Sequence, residues 1–307
     1  MLYRLFTLIL LIALAVPAHA VDPDEFIGLE FRQQTQKKKP VPSPAVSKTS
    51  KSGKTPKAGQ LWTEPTTGMQ FVWVPGGCFM MGSSDGESDE KPVHEVCVDG
   101  FWMGKYEITN AQYRRFKANH NSKRYDGLQL NSDTQPVVRV TWKDAVEFAK
   151  WLSAKGQGTF FLPTEAQWEY AARAGAASRY YWGNSDSSAC LYENLSDKSF
   201  TASRPSWGSF PCNDGYEVSS MVGKFKPNKF GLHDMLGNVS EWCLDCYDEK
   251  AYEKHPRSNP VIKGQRYSRV VRGGTWKHHP WNLCSDRYSM GMIDKTKTTG
   301  FRLVMVK

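Results

Sequence analysis

Two acids stand seven residues apart in NKFGLHDMLGNVSEWC (228–243), Asp234 and Glu241, with Gly237 between them. The stretch has too many glycines for a helix and too little alternation for a plain strand. By residue type, such acids either cap turns or offer carboxylate oxygens to a hard cation. Seven cysteines offer softer chemistry: Cys78, Cys97, Cys190, Cys212, Cys243, Cys246 and Cys284. Cys243 and Cys246 have CxxC spacing. A redox CxxC sits at a helix N-terminus after a strand, where the dipole lowers the thiol pKa, and no helix signal follows this one. A structural disulfide from this pair to Cys284 is therefore expected, with one thiol left over. His233, His278 and His279 complete the candidates for a soft metal. Adjacent histidines on a strand point to opposite faces, so His278 and His279 are expected as exposed polar side chains. No glycine-rich phosphate loop and no nucleophile–base arrangement is legible.

These groups need elements to position them. FVWVPGG (71–77) reads as a strand stopped by Pro-Gly-Gly, and VHEVCVDGFWMGKYEIT (93–109) as a further strand pattern. A hairpin between them sets Cys78 beside Cys97, which predicts that disulfide. Thr109 opens a short helix over NAQYRRFKA. VTWKDAVEFAKWLSAKG (140–156) is the clearest helix, with a capping-box pair Thr141/Asp144 and Gly156 as its stop. FLPTEAQWEYAARAG (161–175) is a second, with Thr164/Gln167 as its box and Gly175 closing it. Beyond Gly175 no long periodic segment appears until RVVRGG (269–274) and GFRLVMV (300–306). A loop region of that size needs another stabiliser, such as disulfides or bound metal ions.

The N-terminus limits where the protein works. MLYRLFTLILLIALAVPAHA has one basic residue, Arg4, an apolar run from Leu5 to Val16, and Ala18-His19-Ala20 as a cleavage pattern. Residues 1–20 are expected to be a secretory signal, too short for a bilayer span, and no second apolar run suits a transmembrane segment. The expected location is secreted or periplasmic, a compartment that permits disulfides. Residues 21–60 form a linker whose stretch 36–59 holds seven Lys and no acid, a composition that stays disordered. It is suited to touch a membrane surface or cell wall. The net charge of +9 is concentrated there, so there is no case for nucleic acid binding. All eleven Trp lie after residue 60, which places the folded domain at 61–307.

Six segments, GGCFMMG, VDGFWMGKYEITNAQYRRF, LPTEAQWEYAARAG, FGLHDMLGNVSEW, RVVRGGTW and GFRLV, occur in an order that resembles the formylglycine-generating enzyme (sulfatase-modifying factor) family over nearly all of 61–307. The resemblance implies an α/β (α+β) fold of the C-type-lectin-like kind, with two helices, short antiparallel strands and much irregular chain. It implies structural calcium held by Asp234, Gly237, Val239 and Glu241, and a second site made by Asn194, Leu195, Asp214 and Tyr216. A disulfide Cys190–Cys212 would tie the two segments of that second site.

Active members of the family oxidise a client cysteine with copper held between two cysteines. Here that pair falls near Leu283 or Cys284 and near Tyr288 or Ser289, and Cys284 is the lone thiol. Two thiolates suit Cu(I), so copper is not expected and Cys284 stands as the only catalytic candidate. The expected role is a binding or accessory module for a peptide or protein ligand. Its groove would be lined by Trp276, His278, His279, Trp281, Tyr288 and Met290. An oxidase with altered metal chemistry is the alternative.

Overall fold

The computed structural model describes residues 55–204, 209–277 and 283–306. The expected signal (1–20), most of the linker (21–54), and His278, His279 and Trp281 lie outside the described residues. Among the described residues thirteen short strands run in chain order: β1 (Leu61–Thr63), β2 (Gln70–Val74), β3 (Gly77–Met81), β4 (His94–Val98), β5 (Phe101–Gly104), β6 (Arg124–Tyr125), β7 (Leu128–Gln129), β8 (Thr159–Phe161), β9 (Ser240–Cys246), β10 (Ser268–Arg272), β11 (Tyr288–Gly291), β12 (Thr299–Gly300) and β13 (Val304–Val306). They form a five-stranded sheet in the order β1-β2-β5-β13-β8, a four-stranded sheet in the order β11-β10-β9-β12, and two hairpins, β3-β4 and β6-β7. All pairs are antiparallel except β9 with β12.

The helices are α1 (Asn110–Arg114), α2 (Trp142–Ser153), α3 (Glu165–Arg173) and α4 (Lys198–Thr201). The first three start at the expected caps, Thr109, Thr141 and Thr164; the boxes at Thr141 and Thr164 are those expected from sequence, and the structure adds one at Thr109, closed by Gln112. Each threonine hydroxyl accepts the N3 amide, and the N3 side chain accepts the cap amide in return, so two otherwise unpaired donors are satisfied. Asp144 serves in place of the usual Glu: its Oδ2 accepts the Thr141 amide at 3.0 Å. At the end of α3 the left-handed cap falls on Ala174 (φ 45°), one residue before the expected Gly175.

Two segments depart from the sequence reading. VHEVCVDGFWMGKYEIT is two strands, because β4 pairs with β3 while β5 enters the five-stranded sheet. The break is at Gly100, where a Cβ would lie 2.6 Å from the Trp73 ring. Sequence reading missed β9 altogether. All seven of its residues are buried, so it lacks the alternation that marks a half-exposed strand. Cys78 faces Cys97 across β3-β4 and the two form a disulfide. Cys190 and Cys212 form the second.

The core joins both sheets to α3. Trp142, Trp168, Trp242 and Trp276 are fully buried. Within this apolar interior runs an ionic seam. Arg272, from the end of β10, pairs with Glu169 and, at 3.5 Å, with Glu165, both on α3. Its guanidinium also donates to the carbonyls of Ser285 and Asp286, each at 2.7 Å, and of Cys284 at 3.1 Å. Arg287 binds Glu165 at 2.6 Å, and Arg173 binds Glu169 at 2.8 Å. A buried carboxylate left without its cation is strongly destabilising. Arg272→Met is expected to lower the unfolding free energy by about 3–5 kcal/mol, read as a shift in the urea midpoint; a shift below about 1 kcal/mol would show that the seam is not a main support.

Candidate functional site

The GLHDMLGNVSEW segment turns between the two sheets. Gly237 has φ +71°, and a Cβ there would lie 2.2 Å from the Asn194 carbonyl oxygen. Only glycine permits that approach without strain. The same carbonyl accepts the Asn238 amide at 2.7 Å, so the 194 and 237 segments are stitched together. Asp234 and Asn238 also take positive φ, 53° and 48°, which Asp and Asn tolerate better than most residues.

Three buried carboxylates meet here: Glu107, Asp234 and Glu241. Arg302 is the guanidinium among them. It donates from Nε to both Glu241 oxygens, at 2.8 and 2.7 Å, and from Nη2 to the His233 and Asp234 carbonyls, each at 3.0 Å. Trp168 Nε1 adds a bond to Glu241 Oε2 at 2.9 Å. Glu107 accepts from Asn238 Nδ2 at 2.7 Å and from the Val239 amide at 3.1 Å. Asp234 Oδ2 accepts the Gly223 amide at 2.6 Å, while its buried Oδ1 has no hydrogen-bond partner among the described residues. Burial, with Asp234 and Glu241 nearby, holds Glu107 well above the usual carboxylate range. Burial raises Asp234 to about 6. Sequence reading did not single out Glu107. In GKYEITN it reads as an ordinary acid at a strand end, and only the long-range contact with Asn238 reveals its place.

The second expected set is also gathered. Asp214 Oδ2 accepts the Leu195 amide at 2.9 Å and Oδ1 the Tyr216 amide at 2.7 Å. Burial, with Asp197 adding, raises Asp214 to about 7. Asn194 Nδ2 donates to the Val218 carbonyl at 2.9 Å, and its buried Oδ1 is unpartnered among the described residues. Both sets therefore hold an oxygen oriented inward without a donor, in a region with more carboxylates than cations. That donor set fits a hard cation. The fit is partial, because Glu241 is already held by Arg302 and Trp168. Among the described residues no group of three or more His, Cys, Asp or Glu side chains forms a metal-holding cluster, so backbone carbonyls would have to complete either site.

The cysteine expectations need correction. Cys284 forms no disulfide with Cys243 or Cys246; all three are buried thiols. Cys243 lies inside β9, where burial pushes its thiol well above the usual range. Its carbonyl accepts Trp142 Nε1 at 2.8 Å. The Cys246 thiol donates to the Gly264 carbonyl at 2.9 Å. Cys284 is 0% exposed beside the ionic seam, and burial pushes its thiol up to about 12. Trp276, named for the groove with a core position as its alternative, is buried in a core cluster, its ring 5.4 Å from Tyr125 and 5.6 Å from Phe200. Tyr288 and Met290 lie half-buried on β11. His233 is tied through Nδ1 to the Phe225 carbonyl at 2.8 Å.

Residues 57–307 match the model of the sulfatase-modifying factor enzyme 1-like domain. The chain belongs to the sulfatase-modifying factor family. It is 30% identical over 271 residues to the formylglycine-generating enzyme of Streptomyces coelicolor, covering 71% of this chain and 80% of that one. It is 33% identical over 288 residues to the serine/threonine-protein kinase pkn1 of Chlamydia pneumoniae, covering 85% of this chain but only 41% of the kinase. Among solved structures, PvdO from Pseudomonas aeruginosa superposes with a TM-score of 0.71 at 26% identity, over 82% of this chain and 99% of PvdO. The Treponema denticola variable protein 1 shares the fold, with a TM-score of 0.67 at 20% identity. The mixed short-strand architecture is thus that of the sulfatase-modifying factor fold. Among the described residues no helix is long and apolar enough to cross a membrane.

The burial of Cys284 has a direct readout. In the native protein it should resist alkylation by iodoacetamide across pH 6–9, because a thiol raised to about 12 carries almost no thiolate there. It should label promptly in denaturant. Rapid native labelling of Cys284, seen by peptide mass, would contradict this placement.

Proposed function

We propose that this sulfatase-modifying factor domain is a secreted or periplasmic binding or accessory module that does not carry out copper-dependent oxidation. On this reading, residues 1–20 are a leader and 21–60 a basic linker suited to an anionic membrane surface or cell wall. Residues 61–307 are the folded module. The observation that carries the proposal is the state of Cys284: the lone thiol in the family's copper segment is 0% exposed. A copper oxidase needs a thiolate pair open to a guest peptide. A single thiol raised to about 12 by burial provides neither the second sulfur nor the access. With Trp276 in the core, Tyr288 and Met290, half-buried on β11, are the expected ligand residues that the structure describes. Aromatic side chains there suit a peptide or protein ligand.

Structural calcium belongs to the same reading. Asp234, Glu241 and the Gly237 and Val239 carbonyls would form one site; Asn194, Asp214 and the Leu195 and Tyr216 carbonyls would form the other. When bound, calcium would supply positive charge beside Asp234 and Asp214, which burial otherwise drives toward protonation. The unpartnered Asp234 Oδ1 and Asn194 Oδ1 support this assignment. The chain's own contribution is to pre-orient those oxygens through the Asn194–Asn238 stitch and the Gly237 turn.

Two measurements test the proposal. Exhaustive chelation should lower the melting temperature by about 4 °C or more, since loss of a ligand bound well above its dissociation constant removes on the order of 2–3 kcal/mol. An unchanged melting curve, with no calcium in the purified protein, would refute the calcium assignment. Separately, incubation with a peptide bearing a CxPxR motif, copper and oxygen should leave the cysteine intact by mass. Appearance of the aldehyde would establish the oxidase instead, as the similarity to the Streptomyces coelicolor enzyme would then suggest.

A further inference from the structure

A cleft of about 620 Å³ lies between the loop joining β3 to β4, the chain just after α3, and the turn at 283–286. Of the groove residues expected from sequence, the described ones, Trp276, Tyr288 and Met290, do not line it. Its floor is acidic and its rim is apolar. Glu90 is 2% exposed; its Oε1 accepts the Glu87 amide at 3.1 Å, and its buried Oε2 has no hydrogen-bond partner among the described residues. Asp286, 6% exposed, accepts the Leu283 amide at 2.8 Å and a bond from the Tyr288 hydroxyl; Glu90 is close enough to repel its charge, an effect that Arg272 and Arg179 partly offset. Asp85 and Glu87 add exposed carboxylates. Against these four acids the lining has two cations. Arg173 is committed to Glu169 at 2.8 Å and to the Gly82 carbonyl at 2.9 Å. Arg179 is exposed and lies over the Tyr180 ring, 5.5 Å from its centroid. Met80 and Val93, 55% and 38% exposed, and the buried Leu283 give the cleft apolar surface.

We propose that this cleft binds the cationic end of an extended alkyl chain, an ammonium or guanidinium, with Glu90 and Asp286 receiving the charge and Met80, Val93 and Leu283 covering the stem. An unpartnered buried carboxylate oxygen is costly, and a charged donor entering the cleft removes that cost. Lys and Arg side chains have this division into apolar stem and charged head. An inorganic cation is a poorer match. It would need several oxygens converging on one point, and among the described residues no three acidic, histidine or cysteine side chains form such a cluster. The alkyl cation has two possible sources, a basic residue of a peptide or a free polyamine, and both present the same head and stem.

Isothermal titration of the full chain with Nα-acetyl-L-arginine amide, with agmatine, and with the neutral isostere Nα-acetyl-L-citrulline amide tests this. Both cations should bind saturably, and the citrulline compound about tenfold or more weaker, the loss expected when a charge-assisted hydrogen bond is removed. Tighter binding of the acetyl-arginine amide assigns the site to a peptide side chain; tighter binding of agmatine assigns it to a free amine. Glu90→Gln and Asp286→Asn should each weaken binding about tenfold. Because Glu90 is buried and its variant is at risk of misfolding, Met80→Lys provides the second variant. Met80 is exposed, and an ammonium at the mouth should compete with the ligand and weaken it by a similar factor. Equal binding of the citrulline compound, undiminished binding by folded Met80→Lys protein, or no saturable binding by either cation would overturn the proposal.

Discussion

The contact between Arg272 and the two glutamates of α3 is the constraint on which the rest of the molecule depends. A single guanidinium, fully buried, joins the end of β10 to Glu165 and Glu169 and to three successive carbonyls at 284–286. Those carbonyls belong to an irregular turn with no ladder of its own. Buried carbonyls must find donors, and the arginine supplies them where a strand partner would otherwise be needed. The guanidinium fork suits this because it presents five donors in one plane. The position of Cys284, the pairing of Arg287 with Glu165, and the floor of the acidic cleft at Asp286 all follow from how that turn is held.

A second ionic cluster does for the Asn194–Glu241 region what the first does for the 284–286 turn. Arg302 bridges Glu241 to the Gly104, His233 and Asp234 carbonyls. It thereby connects β5, the glycine-rich turn and the entry to β13. The two clusters differ in balance. In the first, three arginines meet two glutamates of α3. In the second, three carboxylates meet one arginine, and two of those acids are raised by burial. The shortage of positive charge in the second cluster coincides with the unpartnered oxygens of Asp234 and Asn194. This asymmetry gives the calcium assignment its physical content, independently of any resemblance.

What the sequence made legible divides along a physical line. Local interactions were readable: Thr109 announced a helix as an N-cap, Thr141 and Thr164 through boxes completed three residues later, and the Cys78–Cys97 pair followed from a hairpin. Glycine positions were readable where the backbone demanded them, as at Gly237. The misses all depend on distant partners. β9 is buried on both faces and shows no alternation. Glu107 acts through Asn238, 131 positions away. The expected disulfide from Cys284 to Cys243 or Cys246 failed because pairing of odd cysteines by proximity in sequence ignores where the core lies, and all three thiols are inside it. Glu90 looked like one more acid in SSDGESDE until its burial separated it from its exposed neighbours.

Retention of this scaffold around a buried thiol bears on how fold and activity separate in the family. Function resides in sites carried by a fold, not in the fold itself. The arginine seam meets the candidate catalytic position through the Cys284 backbone and through the charges of Arg173, Glu169 and Arg272 beside its thiol. Its carbonyl is held by Arg272 while its side chain fills core space. A cysteine in that role behaves as a small apolar residue, so the chain can keep it for packing with no call on its reactivity. The elements that fix the 284–286 turn are carbonyl acceptors and an arginine, and none of them is a sulfur.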